Sequence, residues 1–155
     1  MPLRLADAPS WLLSRAHLRA QRLLSDGFAE HDLRPAHYRA LAALAEGGLS
    51  QAELGRRLML DRKDVTLAVD HLAERGLVDR SADPADRRRN VVTLTDAGRA
   101  LLPRLEHTLE SVQREVLAPL TEEEARTLTH LLRRLAPADE AAGVTGPRPR
   151  GRSRS

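Results

Sequence analysis

Residues 50–95 read SQAELGRRLMLDRKDVTLAVDHLAERGLVDRSADPADRRRNVVTLT, and the order of elements in this stretch decides the fold. Ser50 with Glu53 three positions on is a capping box, which starts a helix over 50–59 with Leu54 and Leu58 on its inward face. Asp61 caps the next helix, 61–75, and Val65, Val69 and Leu72 recur there at helical spacing. Gly76 supplies the left-handed residue that ends it. The pattern then changes. Leu77-Val78-Asp79-Arg80 reads as a strand over 77–81, and Asp83-Pro84 as a turn. Asp86, Arg87, Arg88 and Arg89 follow, and β-branched Val91-Val92-Thr93 returns as a second strand over 90–95. The spacing therefore predicts two short helices with a tight turn, then a hairpin with a charged tip.

Working outward, the flanks read as helix. Upstream, Trp11 to about Phe28 carries Leu12, Ala16, Ala20, Leu23 and Leu24 at helical spacing, with Asp26-Gly27 weakening its end. Pro35, at a tolerated first-turn position, opens a helix over 34–46 with Tyr38, Leu41, Ala42 and Leu44 inward, and Gly47-Gly48 stops it. Downstream, Thr95-Asp96 caps a long helix whose stripe runs Leu101, Leu105, Leu109, Val112, Val116 and Leu120, with Pro103 bending its early turns. Thr121 and Glu124 form a second capping box before Leu128, Leu131, Leu132 and Leu135. From Pro137 the chain is mostly Gly, Pro, Arg and Ser with little to bury, and a disordered basic tail is expected over 137–155.

Composition removes whole classes of function. The 155 residues, 41% hydrophobic and 30% charged, amount to one domain. There is no cysteine, so disulfides, thiolate metal sites and thiol chemistry are excluded. One Trp, one Tyr and one Phe cannot build a base-stacking platform for single strands. No apolar run reaches the ~18 residues a membrane span needs, and the N-terminal stretch has no signal-like apolar core, so a cytoplasmic location is expected. The net charge is +3, but Arg148, Arg150, Arg152 and Arg154 supply +4, leaving residues 1–140 at −1. Any nucleic-acid function must rest on local positive patches. No phosphate-binding glycine loop and no Ser-His-acid spacing is present, and neither a catalytic activity nor a cofactor is expected.

A pair of short helices followed by a β-hairpin is a winged helix-turn-helix. Its second helix fits the major groove, and Lys63, Thr66, Leu67 and His71 are the positions left between its inward residues. An arginine-tipped hairpin can reach phosphates or the minor groove beside it. The wing carries Asp86, Arg88, Val92, Leu94 and Thr95 at the spacing of a known signature. It resembles that of the MarR family of bacterial transcriptional regulators. Ser50-Gln51-Ala52-Glu53-Leu54 and Asp61-Arg62-Lys63-Asp64-Val65-Thr66 resemble the two helices before it, and the likeness extends over about residues 10–136. The resemblance implies a mainly α fold with a small β-hairpin wing. Its parts would be an N-terminal dimerisation helix (1–33), a reading head (34–95) and C-terminal dimerisation helices (96–136). It assigns DNA contacts to Ser50, Gln51, Arg62, Lys63, Thr66, Leu67, His71, Asp86, Arg87, Arg88 and Arg89. Leu67 departs from the family, where Arg or another polar residue is usual.

The resemblance further implies a homodimer on palindromic double-stranded DNA, a repressor in character, released by a small phenolic or aryl carboxylate ligand. Trp11 and Arg15 share one face of the first helix, so an indole could cover an aromatic ring while a guanidinium holds its carboxylate. His37 and Tyr38 would add hydrogen bonds. Simpler readings stand beside these: Trp11 packed in a dimer interface, Arg15 paired with an acid, Arg87–Arg89 a solvated loop. Glu122–Glu124 complement a helix dipole more simply than they hold a metal. The rival functions are a sequence-tolerant architectural DNA-binding protein and an enzyme that borrowed the fold.

Overall fold

The computed structural model of the chain describes residues 2–136; the basic tail, 137–155, lies outside the described residues. A 3-10 turn at Leu5–Asp7 leads into α1 (Pro9–Ala29), and α2 (Pro35–Leu44) follows. Next come β1 (Leu49–Ser50), α3 (Gln51–Leu58), α4 (Arg62–Glu74), and the strands β2 (Val78–Ala82) and β3 (Asn90–Leu94). The long α5 (Asp96–Leu117), with Pro103 inside it, and α6 (Glu122–Leu135) complete the chain. The caps act as their sequence implies. Side chains of Ser50, Asp61, Thr95 and Thr121 each accept from the backbone N–H three residues on, satisfying a helix donor that would otherwise lack a partner. Gly76 has φ +66°, the left-handed ending expected of it.

One core joins the reading head to both flanking helices. Phe28 at the end of α1, Leu41 and Leu44 of α2, Leu54 of α3, Val69 and Leu72 of α4, Val92 of β3 and Leu105 of α5 are all essentially inaccessible. Packing therefore runs without a break across the boundaries drawn at 33/34 and 95/96. The stripe expected on α1 behaves differently. Leu12 is 48% exposed, and the only buried residue of α1 is Phe28.

Three local features differ from the sequence reading. Gly27 does not weaken α1; the helix passes through it to Ala29. A Cβ there would stand 2.7 Å from Val112 Cγ2, so glycine permits the close approach of α1 to α5. The two-residue strand β1 was not anticipated. It pairs antiparallel with β3 (Leu49 opposite Val92, Ser50 opposite Val91), giving the sheet order β1-β3-β2. Two residues carry no periodicity, and the pairing is created by the exposed edge of β3. Finally, α1 and α3 end without a glycine. Asp32 (φ 55°) and Met59 (φ 51°) take left-handed conformations, and Leu33 N–H and Leu60 N–H donate back to Phe28 O and Gly55 O. These bonds close both turns.

Candidate nucleic-acid interface

The tight turn at Met59 sets α3 and the N-terminal half of α4 beside the wing. Gln51, Glu53 and Arg56 of α3, Arg62 at the start of α4, and Arg88, Arg89 and Asn90 of the wing line one open groove. Lys63 and Leu67 stand exposed on α4, Leu67 at 57%. The tip is braced by its own aspartates. Asp83 Oδ1 accepts from Ala85 N–H at 2.9 Å and Asp86 Oδ1 from Arg88 N–H at 3.0 Å, while Asp83 N–H reaches Arg89 O at 2.7 Å. These side-chain-to-backbone turns hold the loop in shape. They leave the Arg87 and Arg88 side chains exposed at its outer surface.

Several residues expected to touch DNA have other work. Ser50 is buried and accepts from Glu53 N–H, while its own N–H donates to Glu53 Oε2. Glu53 in turn takes the Arg89 guanidinium at 2.8 Å, so Arg89 ties the wing to α3 instead of projecting freely. The Ser50 N–H and the Arg89 guanidinium together hold the Glu53 carboxyl below the usual glutamate range. Thr66 Oγ1 donates to Arg62 O and accepts from Gln51 Nε2, which uses the hydroxyl and the amide on each other. His71 turns toward α2. Its ring stacks on His37 with centroids 4.6 Å apart, and its Nε2 lies 2.9 Å from Asp32 O. Asp86 holds the Arg88 backbone rather than its guanidinium; among the described residues the two side chains form no ion pair.

The four residues expected to bind a ligand do not converge within one protomer. His37 is buried, and its Nδ1 accepts from Arg34 N–H at 2.9 Å. Burial first, then the neighbouring His71, Arg34 and Arg75 charges, pull its pKa down from 6.5 to about 4, against a smaller opposing effect of Asp32. Tyr38 stacks on Phe28 at 5.1 Å, and burial raises its phenol above the ordinary value. Trp11 is 42% exposed at the other end of α1. At 1.5 Å per residue it lies about 25 Å along the helix from Phe28, and therefore far from Tyr38. Arg15 is exposed and, among the described residues, pairs with no acid.

Sequence reading overlooked four groups at this face. Arg56 lines the groove. Glu53 was seen only as a helix cap, and its bond to Arg89 spans 36 residues. Arg80 and Asp70 form an ion pair between β2 and α4. The helix cap was a local signal; the cross-chain partners had none.

A helix-turn-helix followed by an arginine-bearing antiparallel wing defines a winged helix-turn-helix protein. The family model described as MarR family matches residues 31–89. The HTH-type transcriptional repressor NicR of Pseudomonas putida is 30% identical over 143 residues, 92% of this chain and 90% of NicR. A solved structure of a probable transcriptional regulator from Pseudomonas aeruginosa superposes with TM-score 0.79 at 39% identity, over 86% of this chain and all of that one. BpsR of Bordetella bronchiseptica, whose structure is described as a mechanism for regulation of its DNA binding by 6-hydroxynicotinic acid, also gives TM-score 0.79. It is 29% identical, over 90% of this chain and 100% of BpsR. The chain belongs to the MarR family, whose members are transcriptional regulators rather than enzymes, and is a DNA-binding regulator. Among the described residues no helix is long and apolar enough to cross a membrane.

Proposed function

We propose that the chain is a homodimeric, sequence-specific transcriptional repressor. In this reading α4 enters the major groove and the wing follows the adjacent backbone. One observation carries it: exposed Arg62 at the start of α4 and exposed Arg88 at the wing tip line a single open groove, with exposed Lys63 next to Arg62 in the chain. Positive charge is thus concentrated locally on a body that is not basic as a whole, the arrangement needed to place a helix on phosphates. The second copy is supported by α6. It buries none of its residues, and it exposes Leu128, Leu131, Leu132 and Leu135 by 36% to 68%. An apolar face of this kind marks an association surface. A two-fold dimer would present two α4 helices to a palindrome with half-site centres about 10 bp apart.

The effector in this reading is a small aromatic acid, supported by the likeness to BpsR and by exposed Arg15, which pairs with no acid among the described residues. Trp11 and Arg15 carry the contact; His37 and Tyr38 remain structural. A ligand acts only through unequal affinity for the DNA-bound and free forms. The experiment is a DNA-release titration with 6-hydroxynicotinic acid and benzoate on wild type and Arg15→Ala. Both proteins should bind the same DNA, and only the wild type should release it. Equal response of the two would remove Arg15 from the ligand site. Uniform coating of any duplex, with no preferred sequence, would favour the architectural alternative.

A further inference from the structure

Arg80 is a cation at the base of the wing, and its first reading is as another phosphate contact. The sheet points it elsewhere. Arg80 lies directly opposite Val92 in the β2–β3 pairing, and Val92 is fully buried. Directly opposed residues share a face of the sheet, and so do residues two apart in a strand. Buried Val78, two positions earlier, is therefore on the same side. The pleat thus directs Arg80 along the inner face, toward the helices, where the core gives way to the groove. There its guanidinium makes two separate contacts. Nη2 donates to Asp70 Oδ1 of α4, and Nε donates to Gln51 Oε1 of α3 at 3.1 Å. The Gln51 amide continues the chain through Nε2 to Thr66 Oγ1 at 3.2 Å.

Thr66 and Asp70 are four apart, so they lie one above the other on a single face of α4. The buried stripe of Val65, Ala68, Val69 and Leu72 turns Lys63 and Leu67 outward, and two polar contacts on one face, one to α3 and one to the wing, restrain the remaining rotation of α4 about its own axis. We propose that Arg80, Asp70 and Gln51 form a positioning lock that sets the rotational register of α4 for base reading, without themselves touching DNA. The inference rests on the reading of α4 and the wing as the DNA surface. The lock needs a forked donor. A guanidinium can hold Asp70 and Gln51 at once from different nitrogens, whereas a lysine ammonium, a single nitrogen on a flexible stem, cannot reproduce that geometry.

The test uses the full-length protein and two duplexes: one recovered by the wild type from a randomised pool, and a scrambled duplex of equal composition. Affinities are measured between ~50 and 200 mM salt for wild type, Arg80→Ala, Arg80→Lys, Asp70→Ala and the Asp70→Ala/Arg80→Ala double variant. Thermal melts establish that each variant is folded at the assay temperature. Each single variant, Arg80→Lys included, should weaken the recovered duplex by roughly tenfold, the size of a lost charged hydrogen bond, and leave the scrambled duplex unchanged. The double variant should be no worse than either single, and the salt slope should not move. The sign at Asp70 is decisive, because removing an acid beside DNA would tighten binding if only charge mattered. The lock is overturned if Asp70→Ala tightens both duplexes. It is overturned equally if Arg80→Ala weakens both alike and lowers the salt slope by about one while Arg80→Lys does not, the pattern of a phosphate contact. A wild type that recovers no sequence from the pool removes the DNA-reading assignment of α4, and the lock with it.

Discussion

The apolar stripes of α4 and α6 look alike in sequence and end differently. Val65, Ala68, Val69 and Leu72 of α4 are buried within their own chain. Leu128, Leu131, Leu132 and Leu135 of α6 recur at similar spacing, yet none is buried. The first half of α1 resembles α6, with Leu12, Leu13 and Leu18 all more than 40% exposed. Periodicity tells which side of a helix avoids water but not which molecule covers it. Between Phe28 and Leu105 the cover is intramolecular, whereas at the two ends the described residues leave the stripes exposed, and a second copy is the proposed cover.

The sharpest way to break this contrast is to cut each stripe. Leu72→Ala should cost about 2–5 kcal/mol of folding stability, read by denaturant unfolding, at every protein concentration. Leu131→Asp should leave the protomer folded but cost at least about 2 kcal/mol of self-association, read by sedimentation, with operator affinity falling alongside. If Leu131→Asp unfolded the protomer as Leu72→Ala does, α6 would belong to the inner core after all. Within the reading head, Arg88→Ala should lose roughly 1–3 kcal/mol of DNA binding with an unchanged melting temperature, since its side chain is exposed.

What the sequence made legible was whatever is decided within a few residues. The caps at Ser50, Asp61, Thr95 and Thr121 and the stop at Gly76 all depend on neighbours three or four positions away, and all were readable. The wing was readable because β-branched Val91, Val92 and Thr93 follow a turn former. What stayed hidden depends on distant partners. β1 exists because β3 offers it an edge, and Arg89 is tied to Glu53 and Arg80 to Asp70 and Gln51 across the chain. The sequence offers His37 for a ligand and His71 for DNA, yet the two rings stack on each other in the α2–α4 contact, a pairing that no local spacing signals. Asp32 and Met59 were missed as helix stops because residues other than glycine rarely take φ > 0.

Acid should separate two contributions within the reading head. His37 must be neutral for Nδ1 to accept from Arg34 N–H, and its folded pKa of about 4 lies below the unfolded 6.5. Over that interval the unfolded chain binds more protons, so the stability contributed by neutral His37 should fall as pH drops from 6.5 toward 4 and change no further below it. His37→Gln, which keeps an acceptor and cannot charge, should flatten that window in melts taken at a series of pH values. Glu53 is depressed instead, so its contribution is present above its ordinary value of 4.5 and is lost as pH falls through the lower folded value. Glu53→Gln should lower stability above that range and abolish only that more acidic limb of the pH dependence. The smallest effect is expected at the exposed, left-handed Met59, where Met59→Gly should raise stability by about 1 kcal/mol or less through relief of backbone strain.

The most direct test of the whole reading is selection of binding sites from a randomised duplex pool by the wild-type protein, followed by footprinting on the enriched sequence. The expected result is an inverted repeat with half-site centres about 10 bp apart, protected on one face of the duplex, as two α4 helices of a two-fold dimer require. Enrichment of no sequence, or a single half-site bound as tightly as the repeat, would contradict it.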